Sequence, residues 1–343
     1  MVNEKRYGLW YSKLTSAADG SLSLDSELHN LLHDTDLEIC GVYDVDEPQK
    51  HYDIGANGIL FNASCLKPDD DITRWHCSDV YFTNLPSFTE EASNKPKRVT
   101  MGDERLVGVY QDVQISPDGG TMAFLFTPYE DDTNVRLYLG YLPSLSALDV
   151  FRELIGREPP LPPSGATFAG SSDSLILTTD DCGRVALQSL KLKTSENPAI
   201  ESSSSGVPSQ YRSTEDPVTI FKNGSVSEFY PLIEGSWDKL LVSSVSFIDS
   251  SLWQIIDTKQ AAEPVTVSSS TRHGSKFGLT HSMVSEIWYE GADEAHVHTF
   301  IVKPSNFDPT KKYPWVMMPH GGPVSAWHDA WSTRVSELSM FSL

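Results

Sequence analysis

One order of residues returns along the chain: an apolar approach, an acidic or glycine-rich turn, a β-branched or aromatic run, a polar turn, then a partner run. It is clearest in "VQISPDGGTMAFLFTPYEDDTNVRLYLGYL", with one run around Phe124 and its partner around Tyr138. The order recurs in "ATFAGSSDSLILTTDDCGRVALQSLKL", in "YPLIEGSWDKLLVSSVSFIDSSLWQIIDT" and, more loosely, in "LTHSMVSEIWYEGADEAHVHTFIVKP". An earlier copy joins "HYDIGANGILFNA" to "SDVYFTNL" across the insertion "SCLKPDDDITRWHC". Such runs, divided by tight polar turns, are antiparallel hairpins. Counted between Phe124, Ile176, Leu241 and Ile287, the copies lie roughly 45 to 65 residues apart, a period that suits four-stranded propeller blades with variable loops. The pattern predicts a mostly β chain in which residues 1–290 form a partial β-propeller. A stack of β-sandwiches is disfavoured because no long linker separates the copies.

Helix-period segments are confined to "DSELHNLLHD" and "LSALDVFRELIG". The stretches "REPPLPPSG" and "ENPAIESSSSGVPSQYRSTEDP" read as long loops between copies, since their Pro and Ser residues have little to bury.

Charge excludes one class of partner. Against 26 basic residues stand 47 acidic ones, a formal net charge of −21, and such a field repels nucleic-acid backbones. Cys40, Cys65, Cys77 and Cys182 show neither zinc-ligand spacing nor a disulfide framework. No run approaches the roughly 18 apolar residues that span a membrane, and the charged start "MVNEKRYGLWYSKL" is unlike a secretory leader. These features favour a cytoplasmic chain without membrane contact, although a secreted parent fits if the N-terminus is incomplete. Two sequons, at Asn62 and Asn223, matter only in a secreted protein. Composition says nothing about oligomeric state.

From "HTFIVKPSNFDPTKKYP" onward the pattern changes. The run Trp315-Val316-Met317-Met318 lies between Pro314 and Pro319, as expected of a strand covered on both faces in an α/β sheet. Gly321 and Gly322 follow His320. Without side chains they let the backbone turn sharply and leave amide hydrogens free to face an oxygen carrying developing negative charge.

Taken in order, "VKPSNFD", "KKYP", the four apolar residues, "HGGP" and Trp327-x-Asp329-x-Trp331 resemble the entry to the catalytic domain of the prolyl oligopeptidase family of serine peptidases. The likeness is strongest to its acylaminoacyl-peptidase and fungal dipeptidyl-peptidase V branch, and "YGLWYSKL" and "DVQISPDGGTMAFLF" share it. The resemblance implies a seven-bladed propeller capping an α/β-hydrolase domain and admitting short peptides, with no cofactor and no metal. It assigns Gly321 and Gly322 to the oxyanion-hole loop, with His320 and Pro323 fixing its shape, and residues 291–343 to the first strands of the hydrolase domain. In such hydrolases the nucleophile stands in Gly-x-Ser-x-Gly, followed by the acid and the base. That pattern is absent from the 343 residues, and 20 residues follow Pro323. The sequence also departs from the family where "VSELSMFSL" follows Trp-Ser-x-Arg, and its beginning is short. The expectation is an N-terminal fragment of a peptidase, truncated before its triad and inactive as it stands. The alternative is a non-catalytic propeller serving as a binding module.

Other clusters read as structural. His296 and His298 share one face of a strand but lack a third metal ligand. Asp69, Asp70 and Asp71 lack the ligand spacing of a calcium loop. Asp180 and Asp181 repeat an acidic turn and call for no further role. Trp327 and Trp331, four apart, would share a helix face and pack at the domain junction.

Overall fold

The computed structural model describes residues 8–24, 27–39, 51–64, 77–85, 88, 95–101, 106–131, 133–149, 161–192, 216–233, 235–260, 262–321 and 326–331. Four four-stranded sheets dominate it, each running strand to strand in chain order. Meander I comprises Tyr52–Gly55, Gly58–Ala63, Asp79–Asn84 and Lys97–Arg98. Meander II comprises Gly108–Ile115, Thr121–Pro128, Arg136–Tyr141 and Ser146–Asp149. Meander III comprises Pro163–Phe168, Ser174–Asp180, Val185–Lys191 and Val218–Phe221. Meander IV comprises Ser225–Ile233, Ser236–Val245, Leu252–Asp257 and Val265–Ser269. A two-stranded hairpin follows, Val284–Glu290 against His296–Val302, and its turn contains Ala292–Glu294. Near the N-terminus Trp10–Tyr11 pairs with His29–Asn30, and Leu14–Ser16 with Leu22–Leu24.

The repeat read from the sequence coincides with these sheets. Phe124, Ile176 and Leu241 fall in the second strands of meanders II, III and IV, and Ile287 in the hairpin. Tyr138 is the direct cross-strand partner of Phe124, and their rings stack with centroids 5.6 Å apart.

The chain divides into two compact units, 1–177 with 190–217, and 178–189 with 218–343. In the first, strand alternation explains why the central runs are apolar without interruption. Ile59, Phe61 and Ala63 face one cluster with Tyr11, Leu31 and Leu32, while Leu60 faces another with Met122, Phe124 and Phe126. Ala123 and Leu125 then face a third cluster with Ala166, Phe168, Leu175 and Leu177. Successive side chains of a strand point to opposite faces, so a sheet buried on both faces has no position for an exposed polar residue along its central strands. The second unit is thinner. Leu240, Val242, Ile248, Leu252, Ile256 and Met283 are buried in it.

Where the helix-period segments are described they take other forms, and among the described residues there is no α-helix. In "DSELHNLLHD", His29–Asn30 is a strand, and the Leu32 N–H donates to Asn30 Oδ1 at 3.0 Å, a side-chain turn that competes with helix. In "LSALDVFRELIG", Ser146–Asp149 pairs with Arg136–Tyr141, and the remainder lies outside the described residues. Residues 315–318 join no sheet and are exposed, Trp315 at 76%. A strand covered on both faces needs neighbours to hydrogen-bond with, and none of the described residues supplies them.

Candidate functional site

The loop that carries His320 and Gly321 begins where the apolar run ends. His320 and Gly321 are exposed, and the His320 ring Nδ1 lies 2.8 Å from the Gly321 carbonyl oxygen, a local bond. A side chain at Gly321 would meet nothing within 4 Å, so the backbone there is open to an approaching group. Gly322 and Pro323 lie outside the described residues, as do Asp69, Asp70 and Asp71.

Beyond the loop, residues 326–331 run irregularly rather than as a helix. Trp327 and Trp331 therefore do not share a helix face. The Trp327 indole N–H reaches back to the Met318 carbonyl at 2.7 Å, closing the loop at its base, while Trp331 lies 5.9 Å from the Phe277 ring. Between them Asp329 is buried, 8% exposed, although its neighbours are not.

Asp329 is held by backbone and by a cation, all within the second unit. Its Oδ1 accepts the Phe247 N–H at 2.8 Å, its own N–H donates to the Gly183 carbonyl at 2.7 Å, and its Oδ2 accepts Arg184 Nε–H at 3.2 Å. Arg184 also donates from Nη2 to Glu286 at 2.5 Å, so the guanidinium fork bridges two carboxylates. Glu286 meets His298 Nε2 at 2.9 Å, and the Phe300 ring lies 5.3 Å under the guanidinium. Burial disfavours the Arg184 charge, but the Glu286 hydrogen bond and the Asp329 carboxylate outweigh it and raise its pKa. Glu286 is correspondingly pulled below the usual carboxylate range, chiefly by the Arg184 hydrogen bond.

Asp180 and Asp181, read as a plain acidic turn, are part of this assembly. Asp180 pairs with His328 Nε2 at 2.6 Å and Asp181 with Lys222 Nζ at 2.6 Å. The Asp180 hydrogen bond raises the His328 pKa, and the Lys222 hydrogen bond lowers that of Asp181. His296 and His298 do occupy one strand, and His298 is taken up by Glu286 and by the Trp288 and Phe300 rings at 5.0 and 4.8 Å. Among the described residues no group of three or more His, Cys, Asp and Glu is placed to hold a metal. The Arg184 network escaped the sequence reading because its members are 102 and 145 residues apart in the chain. The only local trace was Trp-x-Asp-x-Trp, where a lone carboxylate between two indoles needs a cation.

The chain is 25% identical over 327 residues to dipeptidyl-peptidase 5 of Trichophyton equinum, a match covering 94% of this chain and 41% of that protein. With dipeptidyl-peptidase 5 of Trichophyton schoenleinii it shares 33% over 232 residues, 67% of this chain and 28% of the other. The chain belongs to the prolyl oligopeptidase family. Within the family its likeness is to the fungal dipeptidyl-peptidases, and the protein from Aspergillus fumigatus gives 27% over 326 residues, covering 91% and 40%. The chain thus spans about two fifths of the length of the first two Trichophyton relatives it matches. No family model matches. A solved putative dipeptidyl aminopeptidase IV from Bacteroides ovatus superposes with a TM-score of 0.45 at 13% identity, covering 97% of this chain and 57% of that one. Prolyl oligopeptidase B from Galerina marginata gives 0.42 at 9%, covering 71% and 29%.

Proposed function

We propose that the chain is the propeller-bearing N-terminal part of a serine-type dipeptidyl- or acylaminoacyl-peptidase that cleaves short peptides. In this reading the four meanders are consecutive blades of a seven-bladed propeller within residues 1–290, and they gate the entry of peptides. Residues 291–343 open the α/β-hydrolase domain, and Gly321 and Gly322 present backbone N–H groups to the oxygen of a tetrahedral intermediate. His320 and Pro323 shape that loop. The nucleophile would stand in Gly-x-Ser-x-Gly, a pattern not among these residues, with the acid and the base after it.

The observation that carries the reading is similarity along 94% of the chain to a protein named dipeptidyl-peptidase 5. Supporting the propeller are polar links between first strands of successive meanders in the first unit. The Ile115 N–H donates to Asp53 at 2.8 Å, and the Phe168 N–H to Gln114 at 3.1 Å. First strands that touch one another are what radially arranged blades bring together. The transcript past codon 343 tests the proposal. A frame continuing into Gly-x-Ser-x-Gly supports the peptidase, whereas a stop codon together with stable cellular protein favours the non-catalytic binding module.

A further inference from the structure

The loop at His320–Gly321 is anchored by groups far from it in sequence, and the anchor has a shape of its own. Gly183 has φ +68°, and a Cβ on it would stand 2.7 Å from the Trp327 carbonyl and 2.8 Å from the Phe300 ring. Only a glycine gives the turn 180–184 this backbone conformation and lets the Trp327 backbone lie against it. On either side of Gly183 the same turn offers Asp180 to His328 and Arg184 to Asp329. Asp329 returns its N–H to Gly183 itself. The loop is closed from the other end by the indole of Trp327 on Met318.

We propose that the turn 180–184 is a clamp that sets the conformation of the anion-binding loop, with Arg184 as its positioning residue. The assignment of the loop to anion binding rests on the functional reading above; the clamp does not. Arg184 touches no reacting group and acts through Asp329. Because its fork spans Asp329 and Glu286 together, it ties residues 326–331 to the hairpin 284–302 as well as to meander III. A lysine keeps the charge but cannot reproduce two bonds at fixed angles.

The test uses the 343-residue chain and reads the loop rather than activity, so a chain without peptidase function would still reveal the clamp. The Gly321 amide resonance and the exchange of the Trp327 indole and Asp329 amide protons are recorded in wild type, Arg184→Gln, Arg184→Lys and Gly183→Ala. Loss of a charge-assisted bond from a part-buried site should speed exchange at both protons by about tenfold or more. The Gly321 resonance should shift in all three variants, six residues from the altered Trp327 contact in Gly183→Ala and eight from Asp329 in the Arg184 variants, and Arg184→Lys should not restore it. Amides of Thr121–Pro128 and Ser236–Val245 report folding. If a variant also exposes Ser236–Val245, the milder Asp180→Asn and His328→Gln changes decide the matter by the same two signals. Unchanged Gly321 shift and unchanged exchange in a folded variant, or full restoration by lysine, would overturn the clamp.

Discussion

Buried amide side chains hold the first unit together at points where backbone pairing cannot. Gln114, 6% exposed, donates from Nε2 to the Ala166 carbonyl and accepts the Phe168 N–H at 3.1 Å. Asn62, 1% exposed, donates to the Tyr110 carbonyl, so this sequon is closed to modification in the folded chain, while Asn223 stands exposed at a turn. Gln114→Leu keeps the volume but strands a donor and an acceptor, each costing about 1–3 kcal/mol when unpaired. Urea denaturation should show a lower midpoint with an unchanged slope. His328 makes a second prediction. Asp180 raises its pKa, so its contribution is complete below the ordinary imidazole value of about 6.5 and is lost as pH climbs through the raised folded value. Glu286 acts with the opposite sign. Its pKa is depressed, so its contribution is present above the usual value of about 4.3 and is lost as pH falls through the folded one. Protection of the Trp327 indole proton should therefore be greatest between those ordinary values and decline on both sides. In Asp180→Asn the imidazole midpoint, followed by proton resonance, should move down, and an unmoved midpoint would contradict the ion pair.

At the scale of elements, close approach of strands imposes its own sequence rule. Gly140 lies in the third strand of meander II, where a Cβ would fall inside contact distance of the Ser146 carbonyl, the Met122 methyl and Ala147. Two of these belong to a neighbouring strand's backbone and its first side-chain atom, which cannot swing away. Gly140→Ala should thus destabilise meander II by about 1–3 kcal/mol, the usual effect of overpacking, seen as an earlier thermal transition. The strands were legible because alternation and turn chemistry are local: Phe124 and Tyr138 could be matched as partners from the turn "PYEDDTNV" between them. The segment "DSELHNLLHD" misled because leucines three or four apart suit a helix, whereas here Leu31 and Leu32 enter a hydrophobic cluster from a turn and Leu28 stays exposed. At the candidate site, the His-Gly-Gly tripeptide is visible in the sequence, whereas the meeting of the turn 180–184 with His328 and Asp329 is not. Asp180, Asp181 and Arg184 look like any polar hairpin tip until residues more than a hundred positions away meet them.

For the molecule as a whole, surface composition and the proposed function lead to opposite expectations about binding and turnover. Trp315, Val316, Met317 and Met318 are 76, 68, 66 and 42% exposed, and Ile233, Val265 and Val267 of meander IV are open as well. Covering a single side chain of this size is worth about 1.5–3 kcal/mol, so the isolated chain should bind hydrophobic dyes and self-associate. Replacing Trp315 and Met317 with lysine should reduce both, as light scattering and dye fluorescence would record. Peptide hydrolysis should nevertheless be absent from the 343-residue chain. An oxyanion loop stabilises charge only after a nucleophile has attacked, and an activated serine needs a base within hydrogen-bond reach. Here Gly-x-Ser-x-Gly does not occur, and the second N–H of such a hole is that of the residue after the nucleophile. Without attack there is no intermediate to stabilise, and loss of the nucleophile alone removes about 10⁶ of turnover. Purified chain incubated with a fluorophosphonate probe and a dipeptidyl chromogenic substrate should give neither a labelled serine nor release above buffer. A labelled serine that survives stringent purification would mean that these residues assemble a nucleophile by a route other than the family's elbow, and the assignment of His320–Gly321 to a hole awaiting its serine would fall with it.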